Sequence, residues 1–239
     1  MILNDIVSSL HVEAPVKDIR QGIFYTGVLT KNCGLAATLI YDALQQGTPL
    51  VKQPGALLNN TTPELVQLAF SSRIAEAAIG MAAVNSLIEI DENLCVERNA
   101  ADLILEKGTD KRVVIIGHFP FIPKVRKAAK QLWVIEKNPQ KDDFTETEAT
   151  HLIPQADVLA ITGTAFTNHT IDDLLKLRNP KAFVVILGGT TPMVPILFDY
   201  GIHAISGTKV VDPLLALQCI SQGANFRQIK GTRRLIMMR

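Results

Sequence analysis

The sequence predicts an α/β protein in which a small α+β unit precedes a larger, mostly parallel sheet. The 239 residues are 47% hydrophobic and 20% charged, which is typical of a folded chain with a sizeable core. A hairpin pattern and two helical patterns occupy the first part of the chain, and a strand–helix–strand rhythm begins near residue 96. We therefore expect two domains, at residues 1–95 and 96–239.

The first domain begins with a predicted β-hairpin over residues 16–40, with its turn at residues 30–34. Thr62 is the predicted N-cap of a helix whose first position is a proline. Ser72 is the predicted cap of a second helix over residues 73–88, which is Ala-rich and reads as amphipathic. A hairpin followed by helices makes a small α+β domain.

The second domain alternates apolar strands with helices. Its strands are continuously apolar, which is the pattern of a parallel sheet covered on both faces. Helical crossovers between them imply right-handed connections. The predicted strands are residues 111–117, 132–136, 156–163, 182–189 and 203–207, with a final strand in the tail 226–239.

Charge, cysteine content and hydropathy restrict the class of partner. The formal net charge of +1 gives no overall field that would attract nucleic acid or an anionic membrane. Cys33, Cys95 and Cys219 lie far apart, so a disulfide framework is not expected and a reducing compartment fits better. The sequence begins without a signal-peptide pattern, and its apolar runs have strand length. We expect a cytoplasmic protein that binds a small molecule.

Each of the first five predicted strands of the second domain ends at glycine or at residues with hydroxyl, amide or acidic side chains. Ligands of open parallel sheets bind beyond the carboxyl ends of the strands, where glycines allow close approach of the backbone. These ends therefore predict a small-ligand site along one rim of the sheet. The rim residues are Gly117, His118, Phe119, Pro120, Glu136, Thr162, Gly163, Thr164, Asn168, Thr170, Gly188, Gly189, Thr190, Ser206, Gly207 and Thr208.

Glu136 ends the second strand, 19 residues after Gly117. An acidic residue at this place hydrogen-bonds the ribose in dinucleotide-binding folds. The segment after Gly117 lacks the G-x-G-x-x-G pattern, and Pro120 removes an amide that could contact a phosphate. Binding of a ribose, an amine or a metal, and capping of a neighbouring helix, all remain open for Glu136.

Two histidines, His118 and His169, lie on predicted loops of the same rim. With Glu136 they would form a set of two nitrogens and one oxygen suited to zinc, nickel or iron. No H-x-x-x-H spacing supports the set, so it depends on the fold. His118 and Glu136 are also the candidate catalytic residues, because an imidazole ordinarily titrates near neutrality and can act as a general base. Neither a P-loop nor a G-x-S-x-G nucleophile motif occurs.

Several of these motifs resemble one known family when taken together. They are VVIIGHFPFIPKV, ADVLAITGTAFTNHTIDDLL and the Gly-Gly-Thr-Thr-Pro turn of the second domain, with FYTGVL, CGLAATL and EAAIGMAAVNSL in the first. The chain resembles, over nearly its whole length, a bacterial and archaeal family called domain of unknown function 364, to which a heavy-metal-chelation role is assigned. Two positions depart from its pattern: His169 replaces a usual glycine, and Gly189-Thr190-Thr191-Pro192 replaces a Pro-Ser-Ala-Pro turn.

The resemblance implies an enolase N-terminal-like domain packed on a Rossmann-like domain, with the site in the cleft between them. The contributions that it implies from the second domain are Gly117, His118, Phe119, Pro120, Glu136, Thr162, Gly163, Thr164, Asn168 and Thr170. Asn85, Thr26-Gly27 and Gly34 are the implied contributions from the first domain.

Three functions remain open. The favoured hypothesis is binding of a divalent transition metal, of unspecified identity, or of its organic complex, with His118 and Glu136 as ligands and Asn168 and Thr164 orienting the organic part. The second is an enzyme that binds a nucleotide or an S-adenosylmethionine-like ligand, or that abstracts a proton from a small carboxylate. The third is a non-catalytic oligomerising or regulatory domain, in which the helix over residues 73–88 forms a subunit interface.

Overall fold

The computed structural model describes residues 1–239 and contains two β-sheets. The smaller sheet is antiparallel, with the order β1-β2-β3. The elements of this part of the chain are α1 (Ile2–Ser8), β1 (Asp18–Gln21), β2 (Tyr25–Leu29), β3 (Cys33–Ala37), α2 (Ile40–Gln45), α3 (Thr62–Gln67) and α4 (Ile74–Leu87).

The larger sheet has seven strands in the order β4-β10-β9-β8-β7-β5-β6. The five strands from β9 to β6 are parallel, whereas β10 runs antiparallel to both of its neighbours. This arrangement confirms the predicted α/β class. Its elements are β4 (Cys95–Val96), α5 (Ala100–Gly108), β5 (Arg112–Ile116), α6 (Ile122–Ala128), β6 (Gln131–Ile135), α7 (Ala149–Leu152), β7 (Val158–Thr162), α8 (Thr164–Thr167), α9 (Ile171–Lys176), β8 (Phe183–Leu187), β9 (Ala204–Val210), α10 (Pro213–Ser221) and β10 (Thr232–Met238).

The predicted hairpin is wrong in extent, and its turn at residues 30–34 is two residues too long, because Cys33 and Gly34 belong to β3. β2 and β3 pair antiparallel across residues 30–32, but the segment before them forms a separate strand, β1. β1 ends in a short turn, where the N–H of Gly22 donates to the carbonyl oxygen of Tyr25 at 2.8 Å. A Cβ on Gly22 would lie 2.3 Å from the carbonyl oxygen of Ile220 in α10, so α10 packs closely on this turn. After β3, Leu39 takes a left-handed conformation with φ 51° and α2 begins, where the sequence pattern suggested more strand.

Two predicted helix caps are displaced. The cap of α3 is Thr61, whose hydroxyl accepts from the backbone N–H of Glu64 while the Glu64 carboxylate accepts from the backbone N–H of Thr61. The helix α4 starts after Arg73 without a side-chain cap, so Ser72 does not cap it. Ser71 instead accepts from the N–H of Arg73.

The helix α4 is buried on all sides and is not amphipathic. Every residue from Ile74 to Leu87 is buried except Asn85, which is half-buried. It packs against β2, β3 and α3 and also contacts α8 of the larger part of the chain. Six of its residues belong to a core of 35 buried residues that also contains residues of β7, β8 and β9. One continuous core therefore joins the two sheets, and α4 offers no free face for another subunit.

Strand β9 continues past the predicted end at Ser206-Gly207-Thr208. It runs from Ala204 to Val210 because β10 pairs with it along its whole length. Ser206 lies level with Leu187, the last residue of β8, so the predicted strand end still lies at the rim of the sheet.

The division at residues 95 and 96 stays a prediction. β4 lies across it and pairs with β10, and α1 contacts residues 195–200 in the second part of the chain. No helix is both long enough and apolar enough to cross a membrane.

Replacement of Gly80 by alanine tests the close packing of α4. A Cβ at Gly80 would lie 1.8 Å from the backbone nitrogen of Ala69, and backbone cannot move aside as a side chain can. We expect Gly80→Ala to lower the free energy of unfolding by about 3 kcal/mol, measured by urea denaturation. A glycine-to-alanine change inside an unconstrained helix raises stability by roughly 0.5–1 kcal/mol, so a stabilised variant would contradict this packing.

Candidate functional site

The winding direction of the large sheet reverses between β5 and β7. From β5 the chain passes through α6 to β6 on one side, and then returns through α7 to β7 on the other side of β5. The loops after β5 and β7 therefore leave the sheet in opposite directions and open a crevice at their carboxyl ends. Parallel α/β sheets bind their ligands at such a reversal.

Two cavities lie at this crevice and share the residues Phe119, Thr162 and Thr164, which we call the shared wall. The histidine cavity has a volume of about 500 Å³ and lies toward α7 and α9. The arginine cavity has a volume of about 740 Å³ and lies toward α5 and α6. Both volumes are in the range of small-molecule sites.

Most of the predicted site residues line one or both cavities. The histidine cavity includes Gly117, His118, Phe119, Glu136, Thr164, Asn168 and Thr170. The arginine cavity includes Phe119, Pro120, Gly163, Thr164, Thr190, Ser206 and Gly207.

His118 is held by two carboxylates at the carboxyl end of β5. Its Nδ1 lies 2.8 Å from Oδ2 of Asp143, whose side chain is only 1% exposed. Its backbone N–H donates to Oε2 of Glu136 at 2.9 Å. Because Asp143 accepts a hydrogen bond, Nδ1 is the protonated nitrogen of the neutral ring, and the lone pair of Nε2 is left for a ligand. Nε2 has no hydrogen-bond partner within the chain.

The Glu136 carboxylate accepts hydrogen bonds from two backbone N–H groups, those of His118 and Lys137. Its second oxygen, Oε1, accepts from the N–H of Lys137 at 2.8 Å. Each carboxylate oxygen thus already accepts one backbone hydrogen bond, and one lone pair on each remains. This geometry gives Glu136 a positioning role in addition to any contact with a ligand.

The histidine cavity is acidic. Four carboxylates line it, while Lys137 is its one lysine or arginine. Lys137 pairs with Asp42 of α2 at 3.2 Å and so links the two parts of the chain across the cavity. An excess of carboxylates favours a cationic centre in the ligand. The four acidic residues are Asp42, Glu136, Glu146 and Asp173.

His169 does not join His118 and Glu136. Its Nε2 lies 3.0 Å from the carbonyl oxygen of Ser71, and the residue lines neither cavity. His169 has φ 62°, a left-handed conformation that glycine adopts without strain, which accounts for the glycine expected here from the family resemblance. No three His, Cys, Asp or Glu side chains lie close enough together to hold a metal ion. The residues present do not form a complete metal site by themselves.

Hydrogen bonds around Asn85 connect the first part of the chain to the turn after β8, at the edge of the crevice. The amide of Asn85 donates to the carbonyl oxygens of Leu35 at 2.8 Å and of Thr190 at 3.0 Å. The Thr190 hydroxyl accepts from the backbone N–H of Ala37 at 2.9 Å. Asn85 lines neither cavity but fixes the turn after β8, which does line the arginine cavity.

The other candidates from the first domain have packing roles. A Cβ on Gly27 would lie 2.5 Å from Leu217 of α10, and one on Gly34 would lie 2.1 Å from the carbonyl oxygen of Ala82 in α4. Thr26 is buried and its hydroxyl lies 3.1 Å from that of Thr38. None of the three lines a cavity.

Sequence reasoning missed Asp143, and it did not place the cations of the arginine cavity in one site. Asp143 lies in a polar stretch without periodicity, 25 residues after His118, so no spacing connects the two. The cations Lys124, Arg227 and Arg234 come from a helix, a loop and an antiparallel strand. Only the fold brings them together.

Residues 99–239 match the family model DUF364, which is described as "Putative heavy-metal chelation". The chain belongs to the DUF364 family. Residues 5–88 match a second model with the same description, DUF4213. The family resemblance of the sequence motifs is therefore confirmed.

Relatives of this DUF364 protein share its fold over the whole length. A crystal structure from Pyrococcus horikoshii has a TM-score of 0.86 and 24% identity, covering 100% of both chains. One from Desulfitobacterium hafniense has a TM-score of 0.83 and 18% identity, covering 100% of this chain and 97% of that one. Both are described as DUF364 proteins with unknown function. An uncharacterized protein of Methanocaldococcus jannaschii is 26% identical over 87% of this chain and 82% of its own length.

Valine substitutions at two adjacent threonines test the network that holds the arginine cavity of this DUF364 protein. Thr190→Val leaves the backbone N–H of the half-buried Ala37 without an acceptor, and we expect it to lower the free energy of unfolding by about 1 kcal/mol. The hydroxyl of Thr191 is buried without a partner, so Thr191→Val is a matched control that leaves stability equal or higher. Urea denaturation of both variants measures the difference, and equal losses would contradict the network.

Proposed function

We propose that the chain binds a transition-metal complex in the histidine cavity, with Nε2 of His118 supplying a bond to the metal. The single observation that carries this proposal is the hydrogen bond between Nδ1 of His118 and the buried carboxylate of Asp143. Histidines that bind metals commonly donate their other ring N–H to a carboxylate, which fixes the ring and raises its basicity.

The metal arrives with its own ligands. A stable site needs three or four donor groups, and the chain gathers no cluster of that size. His118 can add one bond and Glu136 a second through a remaining lone pair, while the organic part of the complex supplies the rest. In this account the metal complex is the cargo or substrate of the protein, and an imidazole donor suits zinc, nickel, copper or iron.

The surroundings of His118 support a cationic metal centre. The four carboxylates of the histidine cavity outnumber its one lysine, which is itself paired with Asp42. Asn168 and Thr170 offer neutral polar groups on the same cavity, although the Asn168 carbonyl already accepts from the Thr170 hydroxyl at 2.7 Å. The Thr164 hydroxyl, on the shared wall, lies 3.0 Å from that of Thr162. These groups are suited to orient the organic part of the complex.

Calorimetric titration of chelator-stripped protein tests this function. The probes are Ni²⁺ and nickel citrate, a complex that leaves coordination positions for a protein ligand. We expect nickel citrate to bind more tightly than Ni²⁺, because the protein offers an incomplete donor set. His118→Ala removes the bond to the metal and should weaken binding of the complex at least a hundredfold. Asp143→Asn should weaken it by roughly 10–100-fold, the usual effect of losing a partner of a metal-bound histidine.

The matched control is His151→Ala, which removes an exposed histidine from α7. It should leave the dissociation constant unchanged. Binding of nickel citrate that is equally tight in the parent and in His118→Ala would contradict the proposed function.

The Asp143–His118 pair also supports a second candidate function, proton abstraction by Nε2 of His118 acting as a general base. A buried carboxylate that orients an imidazole is a common arrangement in general-base catalysis. Nε2 cannot hold a metal and accept a proton at the same time. Absence of His118-dependent metal binding would therefore leave proton abstraction from a small carboxylate as the function to examine.

A further inference from the structure

The arginine cavity carries three cations that have no acidic partner. Lys124, Arg227 and Arg234 line it, and none of them takes part in a salt bridge. Asp102 is the one acidic residue of the lining. The cavity thus has a positive excess, opposite in sign to the histidine cavity on the other side of the shared wall. Such a field attracts an anionic group.

Arg234 and the preceding residue, Arg233, differ in whether a carboxylate neutralises their charge. Arg233 pairs with Glu92 at 2.8 Å and with Glu97 at 3.2 Å. Arg234, the next residue of β10, has no carboxylate partner and lies over the ring of Phe226, 5.0 Å from its centroid. The guanidinium is thus held by an aromatic face, and its N–H donors are left for a ligand.

Aromatic rings line the same cavity in two stacked pairs. Tyr25 and Phe226 have centroids 5.6 Å apart and planes at 22°. Phe119 and Phe121 have centroids 5.2 Å apart and planes at 17°. Burial raises the pKa of Tyr25, so its phenol stays protonated and can donate a hydrogen bond. Preformed aromatic faces of this kind bind planar rings by stacking.

The turn after β8 packs against one aromatic pair and also lines the arginine cavity. A Cβ on Gly189 would lie 2.8 Å from Phe226 and 2.9 Å from Tyr25, so only glycine leaves room for this aromatic pair. Gly189 and Thr190 are buried and line the cavity, and the backbone N–H of neither donates within the chain. Successive free N–H groups in a turn make a binding place for anions.

We propose that the arginine cavity binds a nucleotide. The base stacks on the aromatic rings, and the phosphate groups meet the free N–H groups of Gly189 and Thr190 together with Arg234, Lys124 and Arg227. A volume of about 740 Å³ accommodates a ligand of this size. The proposal is independent of metal binding, because His118, Glu136 and Asp143 do not line this cavity.

Calorimetric titration of metal-free protein with ADP, adenosine and inorganic phosphate tests the proposal. We expect ADP to bind at least tenfold more tightly than either adenosine or phosphate, because only ADP combines the ring with the anion. Arg234→Met should weaken ADP binding at least tenfold. Its matched control, Arg233→Met, removes an arginine already neutralised by Glu92 and Glu97 and should change ADP binding less than twofold.

Two further variants separate this site from the histidine cavity. Gly189→Ala displaces the Tyr25–Phe226 pair and should weaken the binding of ADP and of adenosine to the same extent. His118→Ala should leave ADP binding unchanged, whatever it does to metal binding. The nucleotide proposal is overturned if ADP does not bind at millimolar concentration, if it binds no more tightly than adenosine, or if Arg233→Met and Arg234→Met weaken it equally.

Discussion

The reversal of winding between β5 and β7 is the constraint on which the rest of the site depends. Because β6 and β7 flank β5 on opposite sides, the loops after β5 and β7 diverge. Phe119 from one loop, with Thr162 and Thr164 from the other, then forms a wall with an open space on each side. This geometry follows from the order of the strands.

The two spaces differ in charge because different elements line them. The histidine cavity receives carboxylates from α2, the end of β6 and α9, whereas the arginine cavity receives cations from α6, β10 and the loop before it. The first part of the chain contributes to both cavities, through Asp42, which pairs with Lys137, on one side and through Tyr25 on the other. This division matches the two proposed ligands, a metal complex in the histidine cavity and an anionic nucleotide in the arginine cavity.

The sequence predicts the parts of this arrangement that depend on local pattern. Continuous apolar runs identify the parallel strands, and the polar residues after them identify the rim that lines both cavities. The cap of α3 is also encoded locally, because Thr61 and Glu64 have capping-box spacing, although the proline at position 63 alone points to Thr62.

The remaining features depend on contacts between distant residues. The sequence predicts that His169 and Glu136 lie on the same rim. In the structure His169 has a left-handed conformation, and its ring contacts Ser71, 98 residues earlier. Asp143 reaches His118 because residues 137–144 fold back alongside β6, where the N–H of Phe144 donates to the carbonyl oxygen of Val134. Hydrophobic periodicity contains no information about either contact.

The most direct test of metal binding at His118 is anomalous diffraction at the nickel absorption edge from crystals grown with nickel citrate. The account predicts one strong peak in the histidine cavity, about 2.1 Å from Nε2 of His118, which is the length of a metal–imidazole bond. A strong peak elsewhere, with none within bonding distance of His118, would contradict it.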